Sequence, residues 1–334
     1  MKILYAIQGT GNGHLSRAND IIPCLQKHGS VDILVSGTQG DLKLPFRVKY
    51  KLKGLSFIFG KKGGVALFKT LTHSNIRKLI KNIKQLPVEE YDLIINDFEP
   101  VSAWACYFKN KPCINLSHQS AVLTTLFPHP KQNDPMGRLI LQQYAPATFK
   151  YGFHFRGDNI TLFTPVVRQQ VRNHVITNDG HYTVYLPSYG DKALMKKLSV
   201  YKNVKWDVFS KHNHKKAEHK NITIQPIDNV RFTASMASAA GVLCGAGFET
   251  PAEALFLGKK LLVIPMKNQY EQQLNAAALK SIDVPVIKSL KSKYGPIVKD
   301  WLENGAVIPV DYPDKTQEII DMIVAKHGEK TPDL

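Results

Sequence analysis

Strand-like and helix-like runs alternate twice along this chain, and each half contains one strand that breaks into a glycine turn. The first is "KILYAIQGTGNGHLSRA" (2–18) and the second is "GVLCGAGFETPAEALFL" (241–257). Short apolar runs that end in glycine and pass into helical periodicity mark buried parallel strands, because each crossover helix covers a face of the sheet. In the first half, strands are read at 2–8, 31–36, 47–52, 92–96, 112–117 and 159–163. The helix after the first turn carries Leu15, Ala18, Ile22 and Leu25 on one face, and Pro23 removes one of its backbone bonds. A polar segment at 164–181, with Pro, Asn-Asp-Gly and no period, reads as a linker. The alternation then restarts. Strands lie in "YTVYLPS", "KWDVFS", "NITIQP", "GVLC" and "KLLVIP", and helices in "DKALMKKL", "VRFTASMASA", "FETPAEALFL" and "QYEQQLNAAAL". A chain of 334 residues is long enough for two such cores. The expected class is therefore α/β, with two doubly wound Rossmann-like domains.

The first turn, "GTGNGH", has its third glycine one place early for a dinucleotide fingerprint, and Asp32 starts the next strand rather than ending it. A P-loop fails too, since Gly13 is followed by His14 and Leu15. What remains is a loop whose glycines admit a ligand to the backbone at a helix start. Gly11, Asn12 and Gly13 would line it, with His14 in the first helical turn. An imidazole there can take a proton from a substrate hydroxyl, or simply pack. A base needs an orienter, and "YDLIINDFEP" ends a strand on the same sheet edge with Asp97. Asp97 either accepts from one ring nitrogen of His14 or caps the helix that starts in "DFEPVSAWA". "INLSHQSA" brings His118 and Gln119 to the same rim, as candidate acceptor-side residues.

The second turn, Gly245-Ala246-Gly247, opens a helix with Pro251 in its first turn, where proline is tolerated. The amides at 247–250 suit a diphosphate. Glu253, one turn in, can accept from ribose hydroxyls, or is a solvated helix glutamate.

The stretch "GAGFETPAEALFLGKKLLVIP…EQQLNA" resembles the donor-binding signature of GT-B glycosyltransferases. It is most similar to inverting UDP-glycosyltransferases, to the enzyme that adds N-acetylglucosamine to the lipid-linked peptidoglycan precursor, and to a bacterial and archaeal group with a "GFET…EAL…QYEQ" pattern. "GTGNGH" resembles that superfamily's N-terminal turn, which puts His14 at the base position. The resemblance covers most of the chain. It implies two Rossmann-like domains facing across a cleft: an acceptor-side domain at 1–165, a donor domain at 166–315, and a C-terminal helix and tail at 316–334 that packs back on the first. It implies donor contacts at Gly245, Gly247, Phe248, Thr250 and Ser188, ribose at Glu253, and donor sugar at Glu271 and Gln272. The tryptophan-containing base platform of UDP-glycosyltransferases has no counterpart in "QPIDNVRF", so backbone near Ile227 is assigned to the base. The two glutamates eight apart that mark retaining enzymes are missing, since Glu249 and Glu253 are followed at that spacing by Leu257 and Leu261. Inversion is expected. There is no Asp-x-Asp, so neither a metal nor another cofactor is implied.

The acceptor is read from charge. The chain carries a net +17, and residues 42–88 hold twelve Lys/Arg and no Asp or Glu. In "LFKTLTHSNIRKLIKNIKQL", Leu67, Leu71, Ile76, Leu79, Ile80 and Ile83 share a broad helical face, with Lys69, Arg77, Lys78, Lys81 and Lys84 elsewhere. A basic amphipathic helix suits an anionic membrane surface. Four scattered cysteines and no signal-like start point to the cytoplasm, with peripheral attachment to the inner face of its membrane. The expectation is a transferase acting from a nucleotide-sugar onto a lipid-linked or envelope-polysaccharide acceptor. Alternatives are a nucleotide-sugar epimerase or hydrolase on the same fold, a nicotinamide enzyme, and a non-catalytic basic protein that binds nucleic acid. No recognised nucleic-acid motif supports the last, and no specific nucleic acid is expected.

Overall fold

A computed structural model of the chain describes residues 1–37, 44–54, 76–124, 126–130, 134–213 and 215–328. The chain divides into two compact units. Unit 1 comprises Met1–Thr124, Asn133–Arg168 and Pro313–Leu334, and unit 2 comprises Thr125–Gln132 and Gln169–Tyr312.

Among the described residues, unit 1 is built on seven parallel strands: β1 (Lys2–Gln8), β2 (Ser30–Ser36), β3 (Val48–Leu52), β4 (Leu93–Asp97), β5 (Ile114–Ser117), β6 (Phe149–Phe153) and β7 (Leu162–Phe163). Their order is β3-β2-β1-β4-β5-β6-β7. The chain starts in the middle of the sheet and winds outward in both directions, so the strand order reverses beside β1, where such folds bind ligands. Both faces of β1 are covered. Leu4 and Ala6 join the core formed by α2 (Ile76–Gln85) and α3 (Pro100–Phe108). Ile3, Tyr5 and Ile7 are equally buried on the opposite face. Helix α1 (Asn12–Gln26) runs through Pro23 without interruption and buries Leu15, Ala18, Ile21, Ile22 and Leu25. The last helix, α11 (Thr316–His327), packs against α1. His28 Nε2 lies 2.7 Å from Asp321, and the Tyr151 hydroxyl lies 2.8 Å from His327 Nε2.

Three readings of unit 1 need correction. The strand read at 159–163 shrinks to Leu162–Phe163. Its neighbour β6 was not read at all, because "FKYGF" buries only its last three residues and alternates in neither sense. The helix α4 (Pro135–Gln143) has no buried residue and left no amphipathic signature of the core-facing kind. The basic amphipathic helix falls partly outside the described residues, including Leu67, Lys69 and Leu71. Its described part, α2, buries only Ile83, while Ile76 and Ile80 are 45% and 47% exposed. The apolar face is therefore shared between core and solvent.

Unit 2 holds six strands in the order β10-β11-β9-β8-β12-β13: β8 (His181–Tyr185), β9 (Lys205–Ser210), β10 (Ala217–His219), β11 (Ile222–Pro226), β12 (Gly241–Gly245) and β13 (Lys260–Ile264). All pairings are parallel except β10 with β11. The crossover helices are α6 (Asp191–Leu198), α7 (Asn229–Ser238), α8 (Glu249–Phe256) and α9 (Tyr270–Lys280), followed by α10 (Gly295–Asn304). Trp206 and Trp301, both fully buried, pack on Tyr182 in the core of this unit. The segment read as a linker is mostly irregular but contains one short helix, α5 (Gln169–Arg172).

Candidate active site

The site in unit 1 follows from strand register. Ile7 pairs with Asp97 and Gln8 with Ser36, so the carboxyl ends of β1, β2 and β4 lie side by side. The glycine turn leaves this edge: Gly9 N–H donates to the Ser36 carbonyl at 2.6 Å, and Gly11, at φ 95°, turns the chain into α1. A side chain is unwelcome at that φ, so glycine is required there. Asn12 and Gly13 form the first helical residues, and His14 follows.

His14 Nδ1 lies 2.8 Å from Asp97 Oδ1. An ionised carboxylate only accepts, so Nδ1 carries the hydrogen and donates, and Nε2 keeps its lone pair. Asp97 is fully buried, and the His14 side chain is 12% exposed. Arg17, one turn further along α1 and itself buried, donates from Nη2 to both Asp97 oxygens at 2.8 Å. Its guanidinium also lies 5.3 Å from the Phe153 ring centre. Burial alone would push the Asp97 carboxyl up. The Arg17 guanidinium and His14 outweigh it and hold the group below its ordinary range. Sequence reasoning missed Arg17. Its signal was a lone arginine three residues beyond the histidine, on the face of α1 that is otherwise apolar.

The capping alternative for Asp97 falls to its neighbour. Glu99, not Asp97, caps α3, accepting from Val101 N–H at 2.7 Å and Ser102 N–H at 2.6 Å. It also accepts from the Ser102 hydroxyl at 2.6 Å and the Ser36 hydroxyl at 2.5 Å. Burial raises the Glu99 carboxyl above its ordinary range against these bonds. Between the two carboxylates, Phe98 sits at φ 56°, uncommon for an aromatic residue, and lays its ring parallel to the His14 imidazole at 6.5 Å. Asp97 is thus left for the imidazole because the backbone bends at Phe98 and gives the helix start to Glu99.

His118 and Gln119 begin the turn after β5, and both are buried. His118 Nδ1 donates to the Phe153 carbonyl at 2.8 Å, tying it to β6. Its ring stands 5.4 Å from His154, which burial, with His118 beside it, pushes well below the ordinary histidine range.

In unit 2 the edge formed by the carboxyl ends of the parallel strands carries the donor candidates. Ser188 is exposed in the turn after β8, and Ile227, 36% exposed, sits between β11 and α7. After β12 come Gly245, Ala246 and Gly247. A Cβ on Gly247 would meet no atom within 4 Å, and one on Gly245 only Gln272 Oε1 at 3.7 Å and the Ile264 carbonyl at 3.9 Å. The turn therefore leaves open space where side chains would otherwise project. Phe248 precedes α8, with no side chain capping the helix start, and Thr250 stands in the first turn. Glu253 is 1% exposed, which removes the reading of a solvated helix glutamate. Asn275 Nδ2 donates to the Ala246 carbonyl at 3.2 Å, and Gln272 Oε1 accepts from Met266 N–H at 2.9 Å. The "EQQLNA" segment thus holds the glycine turn and the loop after β13 in place, with Glu271 in the first turn of α9.

Residues 1–304 match the family model described as glycosyl transferase family 1. No curated protein matches the chain by sequence. Three solved structures similar to this one span it almost entirely. Arabidopsis thaliana UGT89C1 complexed with UDP has a TM-score of 0.59 at 12% identity, covering 98% of this chain and 100% of that one. Streptomyces sp. SF2575 glycosyltransferase SsfS6 complexed with thymidine diphosphate has a TM-score of 0.58 at 12% identity, covering 97% and 99%. Acinetobacter baumannii MurG has a TM-score of 0.57 at 16% identity, covering 97% and 99%. At these identities the structural likeness speaks for the fold, which is GT-B, and the family model speaks for the activity. The chain belongs to glycosyl transferase family 1 and is a glycosyltransferase.

Proposed function

We propose that this protein is an inverting glycosyltransferase that moves a sugar from a pyrimidine nucleoside diphosphate donor to a hydroxyl of a lipid-linked or envelope-polysaccharide acceptor. The observation that carries the reading is the 2.8 Å bond between His14 Nδ1 and Asp97, which leaves Nε2 free to accept. In the reaction, Nε2 takes the proton of the acceptor hydroxyl as that oxygen bonds to the anomeric carbon. The bond from that carbon to the donor phosphate oxygen breaks, and its electron pair leaves with the nucleoside diphosphate. Attack from the face opposite the leaving group inverts the anomeric centre. Asp97 stabilises the imidazolium and keeps the ring turned. The departing charge falls to the amides of the Gly245–Gly247 turn and the start of α8, with the helix dipole adding to them. This assignment needs no metal. In this reading Glu253 accepts from the ribose, Glu271 and Gln272 contact the donor sugar, and Ser188 and backbone near Ile227 line the phosphate and base.

Two solved relatives in fold carry UDP and thymidine diphosphate, which supports a pyrimidine base without choosing between uracil and thymine. A membrane-bound acceptor is supported by the outer surface of unit 1. Helix α2, with exposed Ile76 and Ile80 beside Arg77, Lys78, Lys81 and Lys84, packs against α3. There Tyr107 and Phe108, 63% and 66% exposed, cluster with Trp104. Aromatic and aliphatic side chains ringed by cations are the makeup of an interfacial anchor. No helix among the described residues is long and apolar enough to cross a membrane.

The deciding experiment offers UDP- and thymidine diphosphate-sugars with a polyprenyl-diphosphate-linked sugar acceptor in the presence of EDTA, with the product anomer read by NMR. A product of opposite anomeric configuration is expected. Retention of configuration, or loss of turnover on chelation, contradicts the mechanism. Donor consumption without acceptor identifies a hydrolase or epimerase instead.

A further inference from the structure

Unit 2 contains a cavity of about 700 Å³ that the glycosyl-transfer chemistry does not use. Its size suits a small organic ligand, since such sites run from roughly 300 to 1,000 Å³. It lies between the loop after β13, one face of α9, and the segment 286–294. That segment is held firmly. Val286 bridges Val263 of β13 in parallel, Ile287 N–H donates to the Val263 carbonyl at 3.1 Å, and Leu290 N–H to the Tyr189 hydroxyl at 3.2 Å.

The lining has two chemistries. The walls include Met266, Val286 and Tyr294, which are apolar or aromatic. Around them stand Lys267, Lys288, Lys291 and Lys293, and no Asp or Glu among the described residues lines the cavity. Lys267, Lys288 and Lys291 make no ion pair among the described residues, and Lys293 rests over the Tyr294 ring at 5.1 Å. Four cations kept together without a counter-charge repel one another, and an anion bound among them relieves that cost. The apolar walls add a preference for an anion that carries a hydrocarbon part. The Gly245–Gly247 turn offers amides and a helix end, whereas this cavity offers ammonium groups and methylenes. The two differ in the ligand they fit.

We propose that this cavity is a second binding site, for a lipid-type phosphate: an acyl or prenyl chain in the apolar part with its phosphate among Lys267, Lys288, Lys291 and Lys293. This goes beyond the donor and acceptor assignments and stands independently of them. The cavity adjoins the donor side through Met266, which lines it and whose N–H is held by Gln272.

The test is calorimetric titration of the full chain with dihexanoyl phosphatidic acid, kept below its micelle concentration. Glucose 6-phosphate and inorganic phosphate serve as chain-free controls. The amphiphile is expected to bind about tenfold or more tightly than either control, the hydrocarbon burial supplying the difference. The charge-reversed variant Lys288→Glu/Lys291→Glu, altered only at exposed side chains, should weaken binding by about tenfold or more while keeping the wild-type melting temperature. Gln273→Trp, which fills the cavity from α9, should weaken it without touching a charge. Saturating UDP should leave the affinity unchanged. Equal binding of the chain-free phosphates would overturn the lipid-type ligand. Displacement by UDP would place the anion at the glycine turn instead. Undiminished binding in both variants, or binding to phosphatidic acid vesicles alone, would move the interaction to another surface and refute the site.

Discussion

Replacing Arg17 by methionine separates the charge role of this residue from its packing role. Arg17 and Asp97 are 1% and 0% exposed, and the guanidinium nitrogen reaches both carboxylate oxygens at 2.8 Å. Removing one partner of a buried pair strands the other charge and typically costs about 3–5 kcal/mol. The sign of the pH dependence follows from Asp97. Its folded-state value lies below the ordinary range even though burial opposes this, because Arg17 and then His14 hold the charge. A depressed value contributes stability that is present above the unfolded carboxyl range, about 3.9, and is lost as pH falls through the folded value. Without Arg17 the burial effect dominates, and the carboxyl is pushed up instead. The Arg17→Met penalty should therefore be larger at pH 7 than at about pH 4, shrinking as the pH falls from the variant's raised carboxyl value toward the depressed wild-type one. Urea-dependent hydrogen exchange of the peptide covering β4 reads this locally, free of contributions from unit 2. A penalty of the same size at both pH values would refute the reasoning and assign the loss to packing against the Phe153 ring. Arg17→Lys should recover part of the loss, since an ammonium gives the charge but not the two-pronged contact.

Four further outcomes follow from the same geometry. His14→Ala should lower the transfer rate by about 10²–10⁴-fold while UDP binding by calorimetry stays within error; loss of binding without a rate defect would contradict a base role. Glu253→Gln should weaken UDP binding about tenfold and erase the preference for UDP over its 2′,3′-dideoxy analogue; an intact preference would remove Glu253 from the ribose site. Gly37→Ala should destabilise unit 1 by more than about 1 kcal/mol in urea, because Gly37 has φ 128° and an added Cβ would lie 2.8 Å from the backbone of Gly9 and Thr10; an unchanged midpoint would show that the first turn moves freely. Tyr107→Ser/Phe108→Ser should reduce sedimentation with anionic vesicles and leave turnover of a soluble acceptor analogue unchanged; undiminished vesicle binding would discard this surface as the anchor.

Much of the fold was legible because parallel strands buried on both faces read as unbroken apolar runs. β1, β2, β8, β12 and β13 fall where the runs lie, within one to three residues at their ends. β6, β7 and β10 were less legible for the opposite reason: they lie toward sheet edges, are short, and carry exposed or mixed residues. The helix starts show the same divide. Pro251 and the glycines flagged the start of α8, whereas at α3 the sequence offered Asp97 as the cap, and only the turn at Phe98 gives that place to Glu99.

The sequence by itself determined the buried central strands and most of the helices that cross over between them. It also determined that His14, Asp97, Gly245 and Glu253 stand at strand ends or first helical turns, because period, glycine and proline act locally. Tertiary structure alone decided what those groups touch. Asp97 bonds to His14 because Ile7 and Asp97 share a register position 90 residues apart in the chain. Arg17 joins them because no water reaches a carboxylate buried that deeply, and an ionised acid there needs a cation. Four lysines spread over 267–293 line one cavity only because β13, α9 and the segment after them fold side by side. Burial and pairing are properties of the assembled core, and no local stretch of chain contains them.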